Sequence, residues 1–238
     1  MENNMSKCVS PVIVALDFDD INAAKFLVSQ LSPQHCRLKV GKEMFTLFGP
    51  DWVKYLSNHG FDVFLDLKFH DIPNTVAKAI KAASQLGVWM VNVHASGGKD
   101  MIEAAKEAAI SASTPILLTA VTVLTSMDER QFSEVYQSSD VASKVLSLAK
   151  LAQSAGADGV VCSAKEANML RKIINNDFCL VTPGIRPIGS SNNDQKRIMT
   201  PVDAINAGVD YLVIGRPITQ AADPKLVLAE INNSLILT

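Results

Sequence analysis

The sequence is poor in aromatic residues, which make up only 6% of its 238 residues, against a hydrophobic fraction of 48%. The core must therefore consist mainly of aliphatic side chains, and the chain is long enough to bury a large core. No apolar run reaches the length of about 18 residues that suggests a membrane-spanning helix. Residues 1–10 are polar and lack the apolar segment of a signal peptide. We expect a flexible tail over residues 1–10, a single domain over residues 11–238, and no membrane partner.

An excess of charge of either sign is also missing. The chain has 22 basic and 24 acidic residues, which gives a net charge of −2. A nucleic-acid-binding surface or an anionic membrane would favour a strongly basic chain, so neither is expected as a partner. Any anionic ligand must instead be bound by a local cluster of positive charge.

Metal-site and disulfide patterns are absent from the sequence as well. The four cysteines show no Cys-x-x-Cys spacing, and Cys36, Cys162 and Cys179 lie in or beside apolar runs, which predicts buried, reduced thiols and a cytoplasmic location. The four histidines have neither helix-face nor zinc-site spacing, so no metal is predicted. We expect His94 to pack inside the fold rather than to act in catalysis.

The chain instead contains a repeating strand and helix pattern, with repeats of roughly 25–30 residues. Eight repeats of this kind predict an α/β fold, a single (β/α)₈ TIM barrel, and an open doubly wound sheet is the alternative. Residues 126–139 are interpreted as a polar connection and residues 187–200 as a long loop. The predicted strands are 11–17, 36–41, 62–68, 88–94, 115–122, 160–162, 178–182 and 211–214.

Polar residues cluster at the carboxyl ends of these predicted strands. In TIM barrels that end of the barrel carries the active site. We therefore expect the active site to lie among these side chains. They are Asp17, Lys39, Asp66, Lys68, Thr122, Thr182 and Arg216.

The densest group of charges lies in residues 66–75. Asp66 and Lys68 are two positions apart, so they share one face of a strand, and Asp71 follows the strand end. With Lys39, these residues could form either a structural ion network or a catalytic array. Their place at the strand ends favours catalysis, with the acids holding Lys68 in position as a proton donor.

A second candidate cluster follows the last two strands, where TIM barrels commonly bind phosphate. Arg186 ends a Pro-Gly-Ile-Arg segment, and Gly215 and Arg216 follow strand eight. The backbone at Gly215 can approach an anion closely, and Arg216 can bind two of its oxygens. The alternative is a loop arginine paired with a nearby acid. The 187–200 loop, with Gln195, is either a lid over the anion or a surface loop without function.

These segments closely resemble the bacterial orotidine 5′-monophosphate decarboxylase family, in the right order from about residue 11 to residue 223. The most specific of them is the Asp-x-Lys-x-x-Asp-Ile-Pro-x-Thr motif over residues 66–75. The others are residues 15–17, 39–41, 183–186 and 213–216.

The resemblance implies a carbon–carbon lyase of pyrimidine biosynthesis, which converts orotidine 5′-monophosphate to UMP and CO₂ without cofactor or metal. It implies that Lys68 acts as proton donor at C6, and that Asp66, Asp71 and Lys39 complete the catalytic group. It also implies a homodimer in which Asp71 and Thr75 enter the partner's site.

The resemblance assigns the remaining substrate contacts too. Asp17 and Lys39 would bind the ribose hydroxyls, Thr125 (or Ser126) would contact the pyrimidine, and Asp66 would lie against the substrate carboxylate. The phosphate contacts it implies are Arg186, Gln195, Gly215 and Arg216.

Three alternatives remain at this point. Sugar-phosphate decarboxylases and hexulose-phosphate synthases share the Asp-x-Lys-x-x-Asp pattern but use Mg²⁺. A phosphate-binding isomerase or epimerase would need a carboxylate or cysteine acid/base pair. A binding protein without catalytic activity has little use for so many charges at one rim.

Overall fold

The computed structural model describes residues 8–187 and 199–236. Eight parallel strands form a closed barrel in the order β1 to β8, and β8 pairs with β1. This confirms the predicted (β/α)₈ TIM barrel. The strands are β1 Val12–Leu16, β2 Arg37–Gly41, β3 Val63–Phe69, β4 Met90–His94, β5 Leu117–Val121, β6 Gly159–Val161, β7 Cys179–Pro183 and β8 Tyr211–Ile214.

Helices surround the barrel and follow the strands in the chain. In order they are α1 Ile21–Gln30, α2 Lys42–Asn58, α3 Pro73–Ser84, α4 Lys99–Ile110, α5 Glu129–Tyr136, α6 Val141–Ser154, α7 Ala164–Arg171, α8 Pro201–Asn206, α9 Arg216–Thr219 and α10 Pro224–Ile236. A short 3₁₀ turn, Ala95–Gly97, follows β4.

Alternation along the strands divides the core into two parts. Successive side chains of a strand point to opposite faces, so every second residue enters the barrel. Inside, Phe64, Met90 and Val181 belong to a small apolar cluster. Outside, Val14, Leu38 and Val91 pack in the larger core beneath the helices. Charged residues also occupy inward positions, with Arg37 toward the amino-terminal end of the barrel and Lys39 and Asp66 toward its carboxyl end.

The amino-terminal end of the barrel is closed by Arg37. Its guanidinium stacks over Trp89 and Tyr211, 4.5 and 5.2 Å from the ring centroids, and its Nε lies 3.2 Å from an Asp62 oxygen. The same guanidinium donates hydrogen bonds to the carbonyls of Cys8 and Ser10. Residues 8–10 are thus bound to the barrel, and the rest of the predicted tail lies outside the described residues.

Two short helices were not predicted from the sequence. The predicted polar connection 126–139 contains α5, which begins with a capping box between Asp128 and Gln131 and buries Phe132. Arg216, predicted in a loop, is the first residue of α9. The helix α2 is kinked at Gly49, which has a positive φ of 65° and precedes Pro50.

Candidate active site

Two lysines contact Asp66 at the carboxyl end of the barrel. Lys68 Nζ lies 2.6 Å from one oxygen of Asp66, and Lys39 Nζ lies 3.4 Å from the other. Lys39 also lies 3.5 Å from Asp17. The Asp66 and Lys39 side chains are almost fully buried, whereas that of Asp17 is largely exposed. Asp66 and Lys68, predicted to share one face of a strand, are thus in contact, and Lys39 reaches the same carboxylate from β2.

The backbone of Lys68 has an unusual conformation. Its φ is +53°, a left-handed geometry that residues other than glycine seldom adopt. The register between β3 and β4 also shifts here, because Leu65 pairs with Val91 but Phe69 pairs with Val93. At this bulge the regular ladder between β3 and β4 is interrupted next to Asp66 and Lys68.

Asn92 on β4 is a polar residue of this group that the sequence did not single out. It is completely buried. Its Oδ1 accepts a hydrogen bond of 2.8 Å from the Lys68 backbone N–H, and its Nδ2 donates one of 2.7 Å to Asp66. Only its inward position on strand four could have indicated it, because the contacts depend on the bulge.

The Asp66 carboxyl is charged at neutral pH. Burial by itself would raise its pKa, but Lys39 and Lys68, with the hydrogen bonds from Lys68 and Asn92, outweigh burial and hold the pKa below its usual value. The site thus keeps an anion between two cations in a place that excludes most water.

This lowered pKa predicts how stability depends on pH. A group with a depressed folded-state pKa stabilises the protein above its unfolded pKa, and that contribution is lost as the pH falls through the folded pKa. We expect Asp66→Asn to lower the free energy of unfolding near neutral pH, and the difference from wild type to shrink below about pH 4. Urea unfolding at a series of pH values would measure it. A difference that stays constant with pH would contradict the assignment.

A pocket of about 510 Å³ opens beside this group. Its lining includes Lys39 and Asp66 on one side and Arg186 and Arg216 on another. The full set of predicted site residues that line it is Asp17, Lys39, Asp66, Arg186, Gly215 and Arg216.

The arginine side of the pocket is suited to an anion. Arg186 is 6% exposed, and its Nε has no hydrogen-bond partner among the described residues. Burial, together with the positive charge of Arg216, lowers the pKa of the Arg186 guanidinium. Two cations held close together with an unsatisfied buried donor favour a doubly charged ligand such as a phosphate.

The flanks of the predicted 187–200 loop meet at this same rim. Ile185 and Met199 form an isolated parallel bridge, and the Arg186 backbone N–H donates to the Met199 carbonyl over 3.0 Å. Residues 188–198, including Gln195, lie outside the described residues.

Other predicted residues lie apart from the pocket lining. Asp71 and Thr75 are exposed, at the start of α3, and Asp71 forms no ion pair within residues 8–187 and 199–236. Thr125 is half-buried and Ser126 is exposed in the turn after β5. Thr122, predicted at the rim, is buried and donates through Oγ1 to the Val161 carbonyl.

His94 lies on the inner face at the end of β4, half-buried, as its predicted packing position suggested. Its ring centroid is 5.4 Å from that of His70. Burial first, and then the positive charges of His70, Lys42 and Lys68, lower the pKa of His94 to about 4. The ring is therefore neutral at neutral pH and adds no charge to the site.

The described residues offer neither a metal-binding cluster nor a membrane-spanning helix. No group of three His, Cys, Asp or Glu side chains among them is arranged to hold a metal ion. No helix in the described ranges is long and apolar enough to cross a membrane.

Known proteins resemble this chain over most of its length. Residues 10–231 match the sequence model of the orotidine 5′-phosphate decarboxylase / HUMPS family. The chain is 62% identical over 225 residues to an orotidine 5′-phosphate decarboxylase from Pseudoalteromonas translucida, covering 94% of this chain and 96% of the relative. It is 59% identical to one from Hydrogenovibrio crunogenus, with 97% and 99% covered.

A solved structure gives the same result. The crystal structure of orotidine 5′-phosphate decarboxylase from Lactobacillus acidophilus superposes with a TM-score of 0.84 at 42% identity, covering 94% of this chain and 98% of that chain. Sequence and structure comparisons therefore agree over almost the whole length, and the chain belongs to the orotidine 5′-phosphate decarboxylase / HUMPS family.

Proposed function

We propose that this chain is an orotidine 5′-phosphate decarboxylase, which converts orotidine 5′-monophosphate to UMP and CO₂ in pyrimidine biosynthesis. The observation that supports this best is a pocket lined by Lys39, Asp66, Arg186 and Arg216, in which Asp66 is also paired with Lys68 directly behind the lining. The names of the relatives at 59–62% identity support the same activity. The reaction is proposed to need no cofactor or metal. A cytoplasmic location is proposed because all four thiols are free.

The proposed substrate orientation follows the charges of the pocket. The phosphate lies at Arg186, Gly215 and Arg216, with Gln195 added from outside the described residues. The ribose hydroxyls contact Asp17 and Lys39, whose ion pair offers both an acceptor and a donor. The pyrimidine then extends toward Asp66 and Lys68, with Thr125 or Ser126 at its edge.

The proposed chemistry takes place at C6 of the pyrimidine. The bond to the carboxylate breaks, CO₂ leaves, and the electron pair remains at C6 in the plane of the ring, where the π system cannot absorb it. The Lys68 ammonium stabilises this carbanion and then donates the proton that forms the C6–H bond. Solvent returns a proton to Lys68 after the product leaves. Asp66, charged because of its lowered pKa, lies against the substrate carboxylate, and this repulsion ends when neutral CO₂ departs.

Proton donation alone cannot supply the acceleration. General acid catalysis contributes about 10²–10⁴-fold, whereas very slow reactions can require more than about 20 kcal/mol of barrier lowering. Binding energy from the phosphate must therefore be used to orient the pyrimidine and exclude water. Arg186 is suited to this use because the surrounding protein buries its side chain and so restricts its position.

Orotidine, which lacks the phosphate, is therefore expected to lose turnover as well as affinity. We expect kcat to fall because the binding energy of the distant phosphate is no longer available to position the pyrimidine. Steady-state kinetics with both substrates would measure it. Arg186→Ala should slow turnover of the phosphorylated substrate while changing orotidine turnover little. Equal kcat values for the two substrates would contradict this use of the phosphate.

We also propose that the enzyme is a homodimer in which Asp71 and Thr75 complete the partner's site. In the described structure Asp71 Oδ1 accepts only a hydrogen bond from the backbone N–H of Ile72. Ile72 is 66% exposed, although it is a large apolar residue. An exposed isoleucine beside the site suits the apolar part of a contact surface between subunits, and the adjacent Asp71 would then lie close to the partner.

The activity is tested by incubating the protein with orotidine 5′-monophosphate and following the ultraviolet absorbance of the pyrimidine. The absorbance should change at full rate after treatment with EDTA. Loss of activity on chelation, restored by Mg²⁺, would instead favour the sugar-phosphate branch of the family. No absorbance change in any condition would overturn the proposal.

A further inference from the structure

Asn92 lies where the ladder between β3 and β4 is interrupted. Between the paired residues Leu65–Val91 and Phe69–Val93, β3 carries the three residues 66–68, whereas β4 carries Asn92 alone. The Lys68 backbone N–H is therefore removed from the regular ladder. The Asn92 side chain replaces the missing carbonyl and accepts this hydrogen bond.

The same amide also binds the acid that holds the Lys68 ammonium. Asn92 Nδ2 donates to Asp66 Oδ1 over 2.7 Å, and Lys68 Nζ donates to that same oxygen over 2.6 Å. The interactions form a closed circuit from the backbone of Lys68 through Asn92 and Asp66 to the Lys68 ammonium. The amide orientation is fixed by chemistry, because the backbone N–H can only donate and the carboxylate can only accept.

From this circuit we infer that Asn92 is a positioning residue for decarboxylation, which holds Lys68 in its left-handed backbone conformation and aims its ammonium through Asp66. The inference rests on the proposed function of the site. A buried asparagine that merely satisfied one backbone N–H would not need to contact Asp66. With both contacts, one side chain controls both ends of the lysine.

The first test is N92L, which keeps the approximate size of the side chain but removes both hydrogen bonds. Misplacing a reacting group by about 1 Å can cost about 10²-fold in rate. We expect kcat to fall by about that factor, while KM changes by less than about threefold because the phosphate contacts are unchanged. Steady-state kinetics on orotidine 5′-monophosphate would measure both values.

Thr119 provides the matched control. It is fully buried, lies in register with Asn92 on β5, and donates through Oγ1 to the Val91 carbonyl. T119V therefore removes a buried hydrogen bond one strand away without touching Lys68 or Asp66, and kcat should stay close to wild type. If T119V lost as much kcat as N92L, any change in this part of the barrel interior would impair turnover. That result would overturn the specific role of Asn92.

The pH dependence of kcat in N92D provides a further test, because it would not change if Asn92 only filled space. As a carboxylate, the new group would repel Asp66, but once protonated it again offers one donor and one acceptor. The kcat of N92D relative to wild type should therefore rise as the pH falls from about 8.5 to about 5.5. The other charged groups facing this position are Asp66 and Lys68 on β3 and Lys39 on β2. His94 on β4 titrates below this range.

The outcomes separate the two proposals. The positioning role would be overturned if N92L kept the wild-type kcat, or if the ratio of the N92D kcat to the wild-type kcat did not change with pH. In either case, turnover by the unmodified chain would preserve the proposed function. No turnover by the unmodified chain would overturn both. Thermal unfolding of each variant checks the fold, and N92D, which keeps size and polarity, decides the question if N92L does not fold.

Discussion

Replacing Lys68 with alanine is expected to lower kcat by at least about 10⁴-fold, because both the proton donor and the cation facing the carbanion are lost. The fold should survive. Asp66 keeps its ion pair with Lys39 and its hydrogen bond from Asn92, so no buried charge is left without a partner. The rate of decarboxylation measured at high enzyme concentration, with thermal unfolding alongside, would test both statements.

Lys106 offers a close control for this variant. Its Nζ lies 2.6 Å from Asp158, and its side chain is 23% exposed, compared with 25% for Lys68 in an ion pair of the same length. The Lys106–Asp158 pair lies at the start of β6, away from the pocket. Lys106→Ala should therefore retain turnover. If Lys68→Ala kept more than about 1% of wild-type kcat, Lys68 could not be the proton donor that the mechanism requires.

The architecture and much of the charged group could be predicted because their signals are local in the sequence. Alternation along β2 and β3 places Lys39 and Asp66 inside the barrel, since their neighbours Val40 and Leu65 belong to the outer core. The parallel order of the strands then brings their carboxyl ends to one rim. Arg186 and Arg216 follow for the same reason, as residues after β7 and β8.

The contribution of Asn92 could not be predicted in the same way. On β4 it alternates like any inward residue, and asparagine at such a position has no specific sequence signal. Its two contacts exist because β3 bulges between Leu65 and Phe69 and turns Lys68 to a positive φ. A bulge depends on how two strands pair, which a single sequence does not reveal.

The helix α5 is a different case, since its local signals are present in the sequence. Asp128 and Gln131 have the spacing of a capping box, and Phe132 and Tyr136 lie one helical turn apart with ring centroids separated by 4.9 Å. The polar composition around them outweighed these signals because the helix is only 8 residues long.

Mixing two inactive variants should restore activity if the site is shared between subunits. Lys68→Ala damages the site of its own chain, whereas Asp71→Ala is proposed to damage the site of the partner. A hybrid dimer then has one site that carries both changes and one site that carries neither. With random exchange of equal amounts, about a quarter of all sites become wild type in a two-fold symmetric dimer. Activity measured before and after exchange would show this recovery from a near-zero background.

The matched control mixes Lys68→Ala with Asp66→Asn. Both residues are in contact within one chain, with Lys68 Nζ 2.6 Å from Asp66, so every site in a hybrid dimer keeps one defect and no activity should return. Subunit exchange is verified by tagging one variant and isolating tagged hybrids. Recovery in the mixture of Lys68→Ala with Asp71→Ala, but not in the control mixture, would mean that Lys68 and Asp71 of one chain serve different sites. No recovery in verified hybrids would mean that Asp71 acts within its own chain, and its exposure in the described structure would then need another explanation.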